Sequence, residues 1–118
     1  MYNATGKNLP VAGAFVDKRA DVREEVFLRT NIFWPRDNSA PAELVDISQS
    51  GFLIRTRPEF RKLDRLRIAL PLVGEQPAEV AWALAGCVGC RFVYTIGDHD
   101  FVLLLKAIRK ESRPRWSN

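Results

Sequence analysis

The chain carries one histidine, His99, one methionine at its start, and only two cysteines. That scarcity removes most of the chemistry available to a small protein. Cys87 and Cys90 form a C-x-x-C half-site, yet no second cysteine pair accompanies it, and one histidine does not complete a four-ligand zinc site. In an extended segment, side chains three positions apart point to opposite faces. Cys90 is therefore expected to pack in the core beside Phe92, with neither metal nor redox work for the pair. No nucleophile or carboxylate is placed to make His99 catalytic, so no enzyme is expected and His99 reads as a surface or capping residue. Long apolar runs are missing too. None approaches the roughly 20 residues that span a bilayer, and the N-terminus lacks the charged-then-apolar pattern of a signal peptide, which points to the cytoplasm. Internal repeats and low-complexity blocks are also absent.

What remains suits one domain. The 118 residues are 47% hydrophobic, enough for a real core, and a net charge of +4 suits an anionic partner. Lys18, Arg19 and Arg23 lie near the front, a second basic group runs from Arg55 to Arg67, and Arg109 and Lys110 begin a basic end.

Residues 1–17 mix Asn, Gly, Lys and Pro with short apolar pieces and show no sustained period, the pattern of a flexible N-terminal arm. From Val26 to Trp34 the chain alternates. Val26, Leu28, Thr30, Ile32 and Trp34 fall on one side, and Phe27, Arg29, Asn31 and Phe33 on the other. Turn residues fill 35–41, and Ala42 to Ile47 returns as an antiparallel partner. Gly51 to Thr56, Arg65 to Leu70, Ala78 to Leu84 and Val88 to Tyr94 complete six strands, with a connector over 57–64 whose Pro58 opposes regular structure. Six short strands separated by turn signals suggest a barrel or a sandwich. Phe101, Leu104, Leu105 and Ile108 then recur at one helix face, with Asp98 as the expected N-cap and Lys106, Arg109 and Lys110 toward the C-terminal end. Such a helix covers an open end or face of the sheet. Residues 111–118 read as a frayed tail carrying Trp116.

The chain is organised around Asp46-Ile47-Ser48-Gln49-Ser50-Gly51, a polar break between two apolar runs. Locally it is a tight turn closing a hairpin: Asp and Ser bond nearby amides, and Gly supplies positive φ or lets another group come close. Upstream, Arg19 and Arg23 stand four apart with Lys18 adjacent. Alone, such a cluster is a solvated basic turn. Together the two clusters have a sharper use. A guanidinium fork matches two phosphate oxygens or the O6 and N7 edge of guanine, and a carboxylate matches guanine's N1–H and amino donors.

Arg19-x-x-x-Arg23, then Asp46-x-Ser48-x-x-Gly51, then Val80-Ala-Trp82 and Gly89-Cys-Arg-Phe92 before a closing helix resemble the PilZ domain family, bacterial receptor modules for cyclic di-GMP. The resemblance spans residues 18–110. It implies an all-β fold with one helix: a six-stranded antiparallel β-barrel closed by a C-terminal α-helix. It also implies that the arm bearing Arg19 and Arg23 folds over the ligand, that Asp46, Ser48 and Gly51 form the guanine-binding turn, and that Lys18 can meet further phosphate charge. Cys90 departs from the branched aliphatic usual at its position, a matter of packing. The implied role is a cyclic di-GMP receptor, without other cofactor, that orders its arm on binding and signals to an effector protein; a monomer and a dimer both stay open.

Two other readings stand beside it. One is a PilZ-like adaptor that binds protein and no nucleotide. The other is a small basic barrel holding single-stranded nucleic acid through arginines and Phe27, Phe33 and Trp34, although aromatics in an alternating strand are expected in the core.

Overall fold

Alternation of apolar and polar side chains decides the architecture, because a strand with one apolar face must bury that face against others like it. The computed structural model describes residues 21–112, which form six strands and one helix. The strands are β1 (Glu24–Trp34), β2 (Asn38–Ile47), β3 (Gly51–Thr56), β4 (Arg65–Leu70), β5 (Gly74–Leu84) and β6 (Cys87–Phe92), followed by α1 (Asp98–Glu111). They close into an antiparallel barrel in the order β1-β2-β3-β6-β5-β4, with β4 returning to pair with β1. Closure removes the unpaired edges that an open sheet would expose. The expected fold class is the one observed.

Inside the barrel, Ile32, Leu44, Ile47, Ile54, Ile68, Val80 and Val88 are fully buried. Helix α1 adds Phe101, Leu104 and Ile108, so its apolar stripe stops one open end of the barrel. Arg109 in its last turn donates to Glu24 at 3.1 Å and clips the helix to the start of β1. Cys90 is buried as expected, on the same side as Phe92, whose ring lies 5.0 Å from that of Phe52.

Several expectations need correction. β2 starts at Asn38, four residues early, and β5 at Gly74, again four early. Both additions contain a proline. Pro41 pairs with Asn31 but lies one residue beyond the last β3 partner of β2, and Pro77 pairs with Arg67 but lies one beyond the last β6 partner of β5. Each proline thus sits at a local edge, where a missing N–H leaves no gap in a ladder. The β1–β2 turn shortens to Pro35-Arg36-Asp37, with positive φ at Arg36 and Asp37. β6 ends at Phe92 and not Tyr94. Phe27 and Phe33 are not core. Phe27 is 47% exposed, and Arg67 lies over the outward Phe33 ring at 5.5 Å, because the inward side of β1 is the one carrying Leu28 and Ile32. Trp34 is half-buried, edge-on to Phe60. The N-cap of α1 is Gly97, with no side-chain cap bond, and Asp98 is the first helical residue.

Candidate functional site

The Asp46 turn holds its shape through Ser48. The residue is buried, and its hydroxyl oxygen accepts from the amides of Ser50 at 3.3 Å and Gly51 at 3.2 Å, while the Ser48 amide donates to the Gly51 carbonyl at 2.8 Å. Ser48 therefore organises the loop, and its neighbours carry the open chemistry. Gln49 ties this loop to the helix: its side-chain amide donates to the Ile96 carbonyl and to Asp98, both at 2.8 Å, and its own carbonyl accepts from the Ile96 amide at 2.9 Å. That use of Asp98 explains why it does not cap α1. Ser50 donates its hydroxyl to Asp21.

Gly51 has ordinary negative φ, so a left-handed turn is not the reason for its small size. A Cβ placed there would run into the Cys90 carbonyl oxygen on the paired strand β6. The glycine lets β3 and β6 approach beside the turn.

Arg23 comes to Asp46 with Nη1 3.8 Å from Oδ2; its side chain is 68% exposed and that of Asp46 only 16%. The pairing follows from register, since Glu24 faces Ile47 and Glu25 faces Asp46 across β1 and β2. These residues line a cleft of about 400 Å³ shared by Asp21, Arg23, Asp46, Ser48, Gly51 and Trp82. The structure thus brings together four of the six residues singled out in the sequence, Arg23, Asp46, Ser48 and Gly51. Lys18 and Arg19 lie outside the described residues, as do the arm over 1–17 and Trp116.

The sequence alone assigns no site role to Trp82, Asp21, Ser50 or Arg91. A bulge between Val80 and Trp82 breaks the register of β5 and β6 and lays the Trp82 indole over Gly89, where a Cβ would collide with the ring. Trp82 remains 44% exposed and forms an aromatic wall of the cleft. The available signals are its place in the Val80-Ala-Trp82 motif and the glycine opposite it on β6, a position where a strand otherwise favours a side chain.

The floor of the cleft includes Cys90. Burial pushes its thiol up from 9.0 to about 12, because the thiolate would lose its hydration. Below pH 9 the thiol is protonated in both folded and unfolded chains. Above it the unfolded chain ionises first, so stability falls as pH rises from about 9 toward about 12, with a slope of up to about 1.4 kcal/mol per pH unit. Unfolding midpoints measured across that window should drop more steeply for the wild type than for Cys90→Val, which removes the titrating group and keeps an apolar filling. At neutral pH iodoacetamide should modify half-buried Cys87 and spare Cys90, as mass spectrometry of intact protein would read.

Among the described residues no helix is long and apolar enough to cross a membrane, and no group of three or more His, Cys, Asp or Glu could hold a metal. No curated protein matches the chain. Among solved structures it is similar to the PilZ domain with c-di-GMP of YcgR from Escherichia coli, with a TM-score of 0.52 and 14% identity over 78% of this chain and 89% of that one. At that identity the likeness speaks for the fold. The PilZ domain family model matches residues 17–110, nearly the whole barrel and helix, and by that match the chain belongs to the PilZ domain family.

Proposed function

We propose that this protein is a receptor for cyclic di-GMP and that the cleft beside the Asp46 turn is where the nucleotide sits. The observation that carries the reading is the convergence of Arg23, Asp46 and Trp82 on one cleft. A guanidinium, a carboxylate and an aromatic ring are what a phosphorylated guanine needs: a fork for phosphate or the Hoogsteen edge, an acceptor for N1–H and the amino group, and a surface for the base. The ligand seen in the YcgR domain supports the same class.

In this reading Arg19 and Arg23 clamp the phosphates and one guanine edge, Lys18 adds charge, Asp46 binds the other edge, and Ser48 and Gly51 keep the turn open to the base. Arg23 already stands at the cleft, held by Asp46, so binding exchanges a weak exposed ion pair for charge-assisted bonds to the ligand. Ordering the arm costs roughly 1–2 kcal/mol per residue fixed, which makes the arm a switch whose closed state exists only with ligand. The closed arm and the adjoining barrel surface then present a new face to an effector protein, a shift of populations.

Calorimetric titration tests this. Saturable heat with cyclic di-GMP, and none with cyclic di-AMP or GTP, is the expected result, and it gives the stoichiometry directly. Absence of both heat and thermal shift with cyclic di-GMP would leave the non-binding adaptor as the better reading.

A further inference from the structure

A larger cleft, about 590 Å³, lies over β1, β2, β3 and the β5–β6 turn, and shares no residue with the site above. Two of its three arginines, its one carboxylate and its thiol stand in one row of cross-strand neighbours. Arg29 faces Glu43, Glu43 faces Arg55, and Arg55 faces Cys87, so four adjacent strands present cation, anion, cation and thiol side by side. Arg57 adds a third cation to the lining. No carboxylate among the described residues lies within ion-pairing distance of Arg29, Arg55 or Arg57. The β4–β5 surface is built the other way, with Arg65 paired to Glu79 at 3.7 Å and Arg67 paired to Glu75. Arg29 is steadied by stacking over Phe27 at 5.8 Å. The rest of the lining includes short apolar residues: Ala40, Pro41, Ala42 and Ala85 leave room that an incoming side chain can fill.

We propose that this cleft docks an acidic segment of the partner protein, with carboxylates on Arg29 and Arg55 and an apolar side chain on the alanine and proline floor. Neighbouring strands are about 4.8 Å apart, so the two arginines stand about 10 Å apart at the backbone with Glu43 between them. That alternation suits a peptide whose acids are separated by neutral residues. A phosphate polymer would place charge against Glu43, and the cleft has no aromatic lining on which bases could stack. The proposal rests on the receptor reading for its partner and gives that partner a chemistry. The two clefts are near neighbours along the same strands: Leu53 and Gly89 line the first, and Arg55 and Cys87, two residues away on β3 and β6, line the second. A peptide in one therefore lies about 7 Å along the strand from the other, within reach of whatever rearrangement the nucleotide causes.

The test is fluorescence anisotropy with a labelled peptide of Glu and Leu, its Lys-for-Glu counterpart, an oligothymidine and phosphatidylglycerol vesicles. Arg29→Glu/Arg55→Glu is compared with Arg36→Glu/Arg61→Glu, an equal charge change elsewhere. The expected result is binding of the acidic peptide that weakens about tenfold or more in the first pair and less than about twofold in the second. The peptide should also slow alkylation of Cys87, which reads its position independently of charge. Equal weakening in both pairs, unchanged Cys87 reactivity, no peptide binding, or stronger binding of oligothymidine or vesicles would each overturn the proposal. Calorimetry of the first pair with cyclic di-GMP separates the two readings, because the docking variant should keep wild-type nucleotide affinity, and failure of the wild type to bind nucleotide leaves the peptide result to stand or fall by itself.

Discussion

Arg23→Ala should lose cyclic di-GMP binding by about tenfold to about 150-fold while its unfolding midpoint barely moves. The two halves of that expectation come from different places. In the free protein Arg23 is 68% exposed and its one carboxylate partner, Asp46, stands at 3.8 Å, an ion pair of the kind worth about 1 kcal/mol or less. In the proposed complex the same guanidinium would make charge-assisted bonds worth about 1.5–3 kcal/mol each, and losing one would account for the fold-change. Arg23→Lys keeps the charge and loses the planar fork, so it should fall between wild type and alanine. Asp46→Asn should weaken binding as well, because it replaces one of the two acceptor oxygens that guanine's N1–H and amino group need with a donor and removes the charge. Combined with Arg23→Ala it should cost more than the sum of the two, by the worth of their mutual pair, since each single change already spares the other residue the loss of that pair on binding. Calorimetry with thermal unfolding on the same samples reads both halves. A variant that unfolds early and binds weakly in proportion would make Arg23 a structural residue and sink its role as a ligand contact.

The barrel is legible in the sequence because its information is local and periodic. Leu28 and Ile32, Leu66, Ile68 and Leu70, and Phe101, Leu104 and Ile108 announce their inner faces by spacing alone, and they are buried where the spacing puts them. Spacing misleads where the deciding fact is the neighbour across the sheet. Nothing local says that Asn38–Pro41 or Gly74–Pro77 pairs as strand; that depends on β1 and β4 offering partners beyond the ends of β3 and β6. That Phe27 is exposed and Phe33 only half-buried likewise depends on which side of β1 faces inward, since both sides carry large apolar residues. At the candidate site, Arg23 and Asp46 are readable as chemistry, but the indole wall is not: the Val80-Ala-Trp82 motif marks the residue without giving it a role, and a bulge in β5 is what places its ring. Ser48 is readable as a polar group of the turn, while its burial is not. Shielded there, it spends its hydroxyl on the Ser50 and Gly51 amides.

The two glycines beside the cleft separate fold from binding, and the second large effect is expected at Gly51. In Gly51→Ala the new methyl meets the Cys90 carbonyl oxygen, a main-chain atom held in the β3–β6 ladder where Gly51 faces Arg91 and Phe52 faces Cys90. Neither strand can yield without opening ladder bonds above buried Phe52 and Ile54, so the cost should exceed about 3 kcal/mol, at the upper end for overpacking. In a domain of this size that lowers the melting temperature by about 12 °C or more. Gly89→Ala meets the Trp82 ring instead. The indole is 44% exposed and can swing outward, so this variant should stay folded at a cost of about 1 kcal/mol while losing the aromatic wall and, with it, nucleotide affinity. Thermal melts rank the two for stability, and calorimetry on Gly89→Ala and Trp82→Ala, which should weaken binding alike, ranks them for function. A Gly51→Ala protein as stable as the wild type would show that the strands part easily at the turn, and the small residue there would then have to be explained by the ligand and not by the barrel.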